Sequence, residues 1–255
     1  MINGHRQCRI FGIPVDALTM EQTLAAAQEA IRERRCMQLG VVNAAKVVNM
    51  QRDARLRQAV LSSDLILADG MSVVWASRLL RRQLPERVAG IDLMMRLLDL
   101  ANRHGYRVYC LGATDEVLGK VVDRIRKEYP DLPLAGYHNG YFKQHEEAAI
   151  VQDIVTSRPD ILFVAMTSPK KEEFLARWSR ELRVPVCHGV GGSFDVMAGK
   201  VQRAPASWQK VGMEWAYRLI QEPGRMWRRY LVTNALFTWM LWREWITPRQ
   251  AREGP

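Results

Sequence analysis

The chain has 255 residues, 48% of them hydrophobic, enough to bury one substantial core or a core with an appendage, and this composition excludes general disorder. A formal charge of +10 and a pI near 9.8 call for anionic partners: nucleic acid, an anionic bilayer or phosphorylated substrates. The four cysteines, Cys8, Cys36, Cys110 and Cys187, form no CxxC pair and have no His at metal-ligand spacing, so they read as core thiols in a reducing compartment.

The first ten residues lack an apolar run followed by a cleavage site, so no secretory signal is expected and the cytoplasm is favoured. From Cys8 to about Val190, short β-rich runs alternate with amphipathic stretches, the mark of an α/β domain with a mainly parallel sheet. Strands are expected at 9–15, 37–42, 64–68, 107–111, 134–138, 160–165 and 186–190, with helices at 19–34, 44–61, 115–128, 146–157 and 171–182. Thr19 followed by Gln22 is a helix-starting capping box. After about Gly199 the pattern changes, which divides the chain into a core at 1–200 and an appendage at 201–255. The appendage holds nine Arg or Lys against four Glu, a net of +5, and six of the eight tryptophans. Pro223 and Gly224 divide it into helices expected at 207–221 and 225–245.

The second of these helices places Arg225, Arg228 and Arg229 on one face, with Met226, Tyr230, Thr233, Phe237 and Met240 on a neighbouring one. Either it lies in a lipid interface, with Trp at headgroup level and Arg on phosphate, or it packs on its own domain or a sister subunit. Composition favours the first. The uncharged stretch 230–242 is too short for the roughly 20 residues of a spanning helix, so surface attachment is expected instead.

In an open parallel sheet, ligands bind beyond the carboxyl ends of strands. Polar or glycine-rich residues follow apolar runs at Asn43, at Asp69-Gly70 and from Gly189 to Asp195. Asp69 is placed to act as a general base, or else to cap the following helix; position alone leaves both open. Gly191 and Gly192 offer unobstructed amides for phosphate oxygens, although a plain strand-to-helix turn reads the same way. Arg87, Lys170, Lys171 and Arg203 are basic loop residues able to neutralise a diphosphate leaving group, against the commoner reading of solvated charges. No DxD triplet, Walker motif, GxGxxG, HExxH or GxSxG occurs. His188, at a strand end, reads as a satisfied core residue.

Five segments resemble the WecG/TagA/CpsF family of bacterial glycosyltransferases: VVNAAKVV (41–48), SSDLILADGMSVVWASRLL (62–80), PERVAGIDLM (85–94), GVGGSFDVMAGKVQRAP (189–205) and GMEWAYRLIQEPGRMWRRYL (212–231). The resemblance implies a Rossmann-like α/β core flanked by helices with a C-terminal helical, membrane-associating appendage. It implies an inverting, metal-independent transferase with no cofactor, moving a sugar from a UDP-sugar to a polyprenyl-diphosphate-linked sugar in cell-surface polysaccharide synthesis, peripherally at the cytoplasmic face of the inner membrane. Asp69 becomes the expected base, with Asn43 shaping its pocket and Arg87 meeting a phosphate. Substrate contacts are expected at Gly70, Asp92, Gly112, Lys170, Lys171, Gly191, Gly192, Phe194, Asp195 and Arg203, and at Arg218, Arg225 and Arg228 of the appendage. Association of several copies is open. Val41 departs from the family's TVN, and Lys171 from its GxPKQE. Two rival classes remain: a basic nucleic-acid-binding protein, which no recognition motif supports, and a nucleotide-dependent oxidoreductase, which lacks its dinucleotide fingerprint. No nucleic-acid partner is expected.

Overall fold

A computed structural model describes residues 5–210 and 212–247, without the side chains of 206, 210, 225, 226 and 229. Among them, the strand expected at 9–15 is a hairpin, β1 (Gln7–Ile10) and β2 (Ile13–Asp16), outside the main sheet. Phe11 and Gly12 both take positive φ (52° and 70°), the geometry that turns a chain back in two residues. The Asp16 carboxylate accepts the Ile66 amide at 2.6 Å and so ties the hairpin against the sheet edge.

Six parallel strands follow: β3 (Met37–Val42), β4 (Leu65–Ala68), β5 (Val108–Gly112), β6 (Leu134–His138), β7 (Ile161–Ala165) and β8 (Val186–Gly189). Their order across the sheet is β4-β3-β8-β7-β5-β6. One face carries α1 (Met20–Arg32), α5 (Gly90–His104), α6 (Asp115–Glu128) and α9 (Ser193–Met197). The other carries α2 (Ala44–Met50), α3 (Ala54–Leu61), α4 (Met71–Leu79), α7 (Glu147–Ser157) and α8 (Lys170–Leu182). The helices after adjacent β3 and β8 therefore leave to opposite faces, which opens a crevice at the carboxyl ends of these two strands.

The capping box is present: Thr19 Oγ1 accepts the Gln22 amide, and Gln22 Oε1 accepts the Thr19 amide. The single helix expected at 44–61 is two, because Asp53 caps a fresh start at Ala54 with its carboxylate on the Leu56 amide. Beyond α9 come α10 (Ala206–Lys210), α11 (Glu214–Gln221) and α12 (Pro223–Ile246). Gly212, at φ 66°, breaks the helix expected at 207–221, and Pro223 opens α12, where its missing N–H costs nothing.

α12 packs along α2 and the hairpin. Thr233 and Phe237 are buried there, the Phe11 and Phe237 rings meet edge-on at 5.2 Å, and Glu244 takes the Phe11 amide and the Arg82 guanidinium. The Thr233–Phe237–Met240 stripe expected to meet lipid thus faces the protein. The opposite stripe, with Leu231, Trp239 and Trp242, is exposed. Among the described residues, no helix is long and apolar enough to cross a membrane.

Candidate active site

Asn43 ends β3 and caps α2, its Oδ1 accepting the Lys46 amide at 3.1 Å. Its Nδ2 is thereby aimed across the strand ends and donates to Asp69 Oδ2 at 3.2 Å. Asp69 follows β4, and its Oδ1 accepts the Gly90 amide at 2.8 Å, one of the orphan donors at the start of α5. The capping alternative is thus met on a different helix: Gly70 stands at the start of α4, while Asp69 serves α5. A Cβ on Gly70 would lie 3.1 Å from that of Asn43, so glycine admits the Asn43–Asp69 approach. The Gly90 carbonyl in turn faces His188 Nε2 at 3.0 Å. That ring is fully buried, and burial holds its pKa below the ordinary value, so it is a neutral prop.

Arg87 forms a fork on Glu214 of α11, with Nη1–Oε2 at 2.9 Å and Nη2–Oε1 at 3.3 Å, and lies 3.7 Å from Asp92. Arg203 approaches Asp92 at 2.6 Å, but its Nε and Nη2 are buried without an aligned acceptor. Two guanidiniums and two carboxylates therefore cluster around the start of α5, the helix whose first amide holds Asp69.

Lys171 Nζ lies 2.5 Å from Glu172 Oε1, which Lys46 Nζ also reaches at 2.8 Å. All three side chains are buried beneath the crevice. Burial and the neighbouring Lys46 push the Lys171 ammonium down to about 8. Burial works against ionised Glu172, but Lys46 and Lys171 outweigh it and bring the carboxyl to about 2. A cavity of about 10 Å³, room for one water at most, adjoins the triad, and Glu172 Oε2 has no partner there.

The other expected residues fall in several places. Gly112 takes φ 130°, and a Cβ there would sit 2.4 Å from the Ala165 carbonyl oxygen, so it shapes the strand end. Lys170 donates to the Gly140 and Phe142 carbonyls and so braces that loop. Gly191, at φ 53°, and Gly192 line the β8 turn. Phe194 is buried in the core, whereas Asp195 is partly exposed with Lys200 at 3.9 Å. Arg218 is exposed on α11, Arg228 stacks over Trp227 at 5.2 Å, and the Arg225 side chain lies outside the described residues. Lys46, Glu172 and Glu214 join these clusters without having been singled out from the sequence. Tyr141, 79% exposed just after β6, is a further aromatic at the carboxyl ends, signalled only by the Asn139-Gly140 turn before it.

A model of the Glycosyl transferase WecG/TagA/CpsF family matches residues 8–251. The chain belongs to this family. The transferase is 42% identical over 175 residues to an N-acetylglucosaminyldiphosphoundecaprenol N-acetyl-beta-D-mannosaminyltransferase of Bacillus spizizenii, across 68% of this chain and 67% of that protein. It is 40% identical over 170 residues to the protein of the same name in Bacillus subtilis, across 67% of this chain and 65% of that one. The matched region thus spans about two thirds of each relative's length.

Proposed function

We propose that the chain is an inverting, metal-independent transferase that moves a sugar from a UDP-sugar to a polyprenyl-diphosphate-linked sugar, with Asp69 as general base. The observation that carries this reading is the setting of Asp69 at the crevice, partly exposed, with one oxygen on the Gly90 amide and the other on Asn43. Among the described residues no cation forms an ion pair with it, and its two hydrogen-bond partners, the Gly90 amide and the Asn43 side chain, are both neutral donors.

In the reaction the acceptor hydroxyl oxygen attacks the anomeric carbon from the side opposite the leaving group. Asp69 takes the hydroxyl proton, the new glycosidic C–O bond forms as the bond from C1 to the diphosphate oxygen breaks, and UDP departs with the bonding pair. Arg87 and Arg203 supply positive charge for the diphosphate, with Glu214 and Asp92 yielding their places to phosphate oxygens. The amides around Gly191 and Gly192 add neutral donors. The relatives' name puts an N-acetylmannosaminyl donor and an N-acetylglucosaminyl-diphospho-undecaprenol acceptor first to test. The exposed stripe of α12, with its basic surroundings, brings the protein to the bilayer that holds such an acceptor.

The test is UDP release from a panel of UDP-sugars, in chelator, with and without a short-chain polyprenyl-diphosphate-sugar. Acceptor-dependent release is expected, and Asp69→Asn should lower turnover by about 10²–10⁴-fold while still binding UDP. Normal turnover by Asp69→Asn would remove Asp69 from the role of base.

A further inference from the structure

α4 begins directly after Asp69-Gly70, and its outer face is not polar. Val73, Val74, Ala76 and Ser77 are buried, whereas Trp75 and Leu79, at i and i+4, are 45% and 48% exposed. Arg78 shares their face, and Arg81 stands just past the end of the helix at φ 57°, both exposed. Among the described residues neither arginine has a carboxylate within ion-pairing distance. Scattered exposed apolar residues are ordinary on a soluble protein, but this pair is part of a larger surface. Arg82, the next residue and likewise beyond the end of α4, is paired with Glu244 of α12 at 2.6 Å. Glu244 lies on the protein-facing side of α12, so the pair ties the end of α4 to that helix, whose outer side carries exposed Trp242 and Trp245. At its other end, the Trp75 ring would come within 3.0 Å of a Cβ on Gly212, so the turn between α10 and α11 lies against it.

We infer that the Trp75–Leu79 face of α4, with Arg78 and Arg81, is a second membrane-docking surface, which seats the core on an anionic bilayer beside α12. Trp and Leu enter the headgroup region while the unpaired arginines meet lipid phosphate. Charge complementarity, with the tie from Arg82 to α12, whose outer stripe is read above as bilayer-facing, selects a bilayer over a second copy of the chain, whose own α4 would bring Arg78 and Arg81 against like charges. The choice also rests on the lipid-linked acceptor proposed above. At 1.5 Å per residue, Trp75 lies about 7.5 Å along the helix axis from Gly70, the residue that follows Asp69. A bilayer touching α4 therefore holds a lipid diphosphate within reach of the base, which the far end of α12 alone does not ensure.

The experiment uses the full chain and co-sedimentation with phosphatidylglycerol–phosphatidylcholine vesicles. Trp75→Ser with Leu79→Ser should weaken binding about tenfold. Arg78→Gln with Arg81→Gln should weaken it by a similar factor on these vesicles and leave binding to pure phosphatidylcholine unchanged. UDP release with a water-soluble acceptor should stay at the wild-type rate in both, which reports an intact fold. Wild-type vesicle binding by both double variants would overturn the inference, as would a change confined to oligomeric state. Loss of vesicle binding in a protein that releases no UDP from any donor would sustain the docking surface and discard the proposed reaction.

Discussion

Glu172 sits between two ammonium groups, with Lys46 and Lys171 on the same oxygen. Removing the anion from such a cluster leaves two buried cations facing each other, so Glu172→Gln should cost about 3–5 kcal/mol, measured by chemical denaturation at pH 7. The pH dependence follows from the two shifts. Glu172 titrates at about 2 in the folded protein against 4.5 in the free group, so its stabilisation is complete above pH 4.5 and is lost as pH falls toward 2. Lys171 titrates at about 8 against 10.5, so the folded state binds fewer protons between these values. Its charge therefore opposes folding below pH 8, and stability rises with pH from 8 toward 10.5. Lys171→Gln should abolish that alkaline rise; an unchanged rise would place its origin elsewhere. Asn43 and Asp69 were legible in the sequence because each is the first polar residue after an apolar run. The triad was not, because it joins α2 to α8 across residues more than a hundred positions apart, and no spacing rule reaches that far. Arg87 and Arg203 were legible as cations, but their partner Glu214 was hidden within a segment quoted only for its resemblance.

At the scale of elements, α12 is held by an apolar seam and an ion pair. Phe237, 5% exposed, packs on Phe11 and the α2 side of the core, so Phe237→Ala should destabilise the protein by about 3 kcal/mol, seen as a lower thermal midpoint. A midpoint equal to wild type would mean that the helix contributes nothing to the stability of the core. In sequence Pro223-Gly224 reads as a break before a helix at 225, whereas Pro223 is itself the first residue of α12. Helical periodicity was plain in this segment. Which face turns inward was not: apolar residues occupy both sides of α12, and only the position of α2 and the hairpin decides between them. The same limit explains the hairpin and the break before α3. A two-residue turn at Phe11-Gly12 and a cap at Asp53 are local events inside runs whose overall pattern reads as continuous.

For the whole molecule, alternation of strand and helix patterns announced a parallel sheet, but the order β4-β3-β8-β7-β5-β6 is a property of crossovers that composition does not encode. That order matters because it puts Asn43, Asp69 and the Gly189–Gly192 turn along one end of the sheet. The charge of +10 gives this arrangement a direction toward anionic surfaces. Electrostatic attraction of surface arginines to lipid is worth about 1 kcal/mol each near the bilayer, and the screening length shrinks from about 10 Å at 0.1 M salt to about 3 Å at 1 M. The apolar share, from Trp75, Leu79 and the exposed tryptophans of α12, does not weaken with salt. Binding of the full chain to anionic vesicles should therefore fall at least about tenfold between 0.1 and 1 M sodium chloride and then level off at a residual affinity. Complete loss at high salt would assign the contact to charge alone, and no loss would assign it to the apolar faces; either result would break the pairing of arginine with tryptophan on which the membrane reading depends.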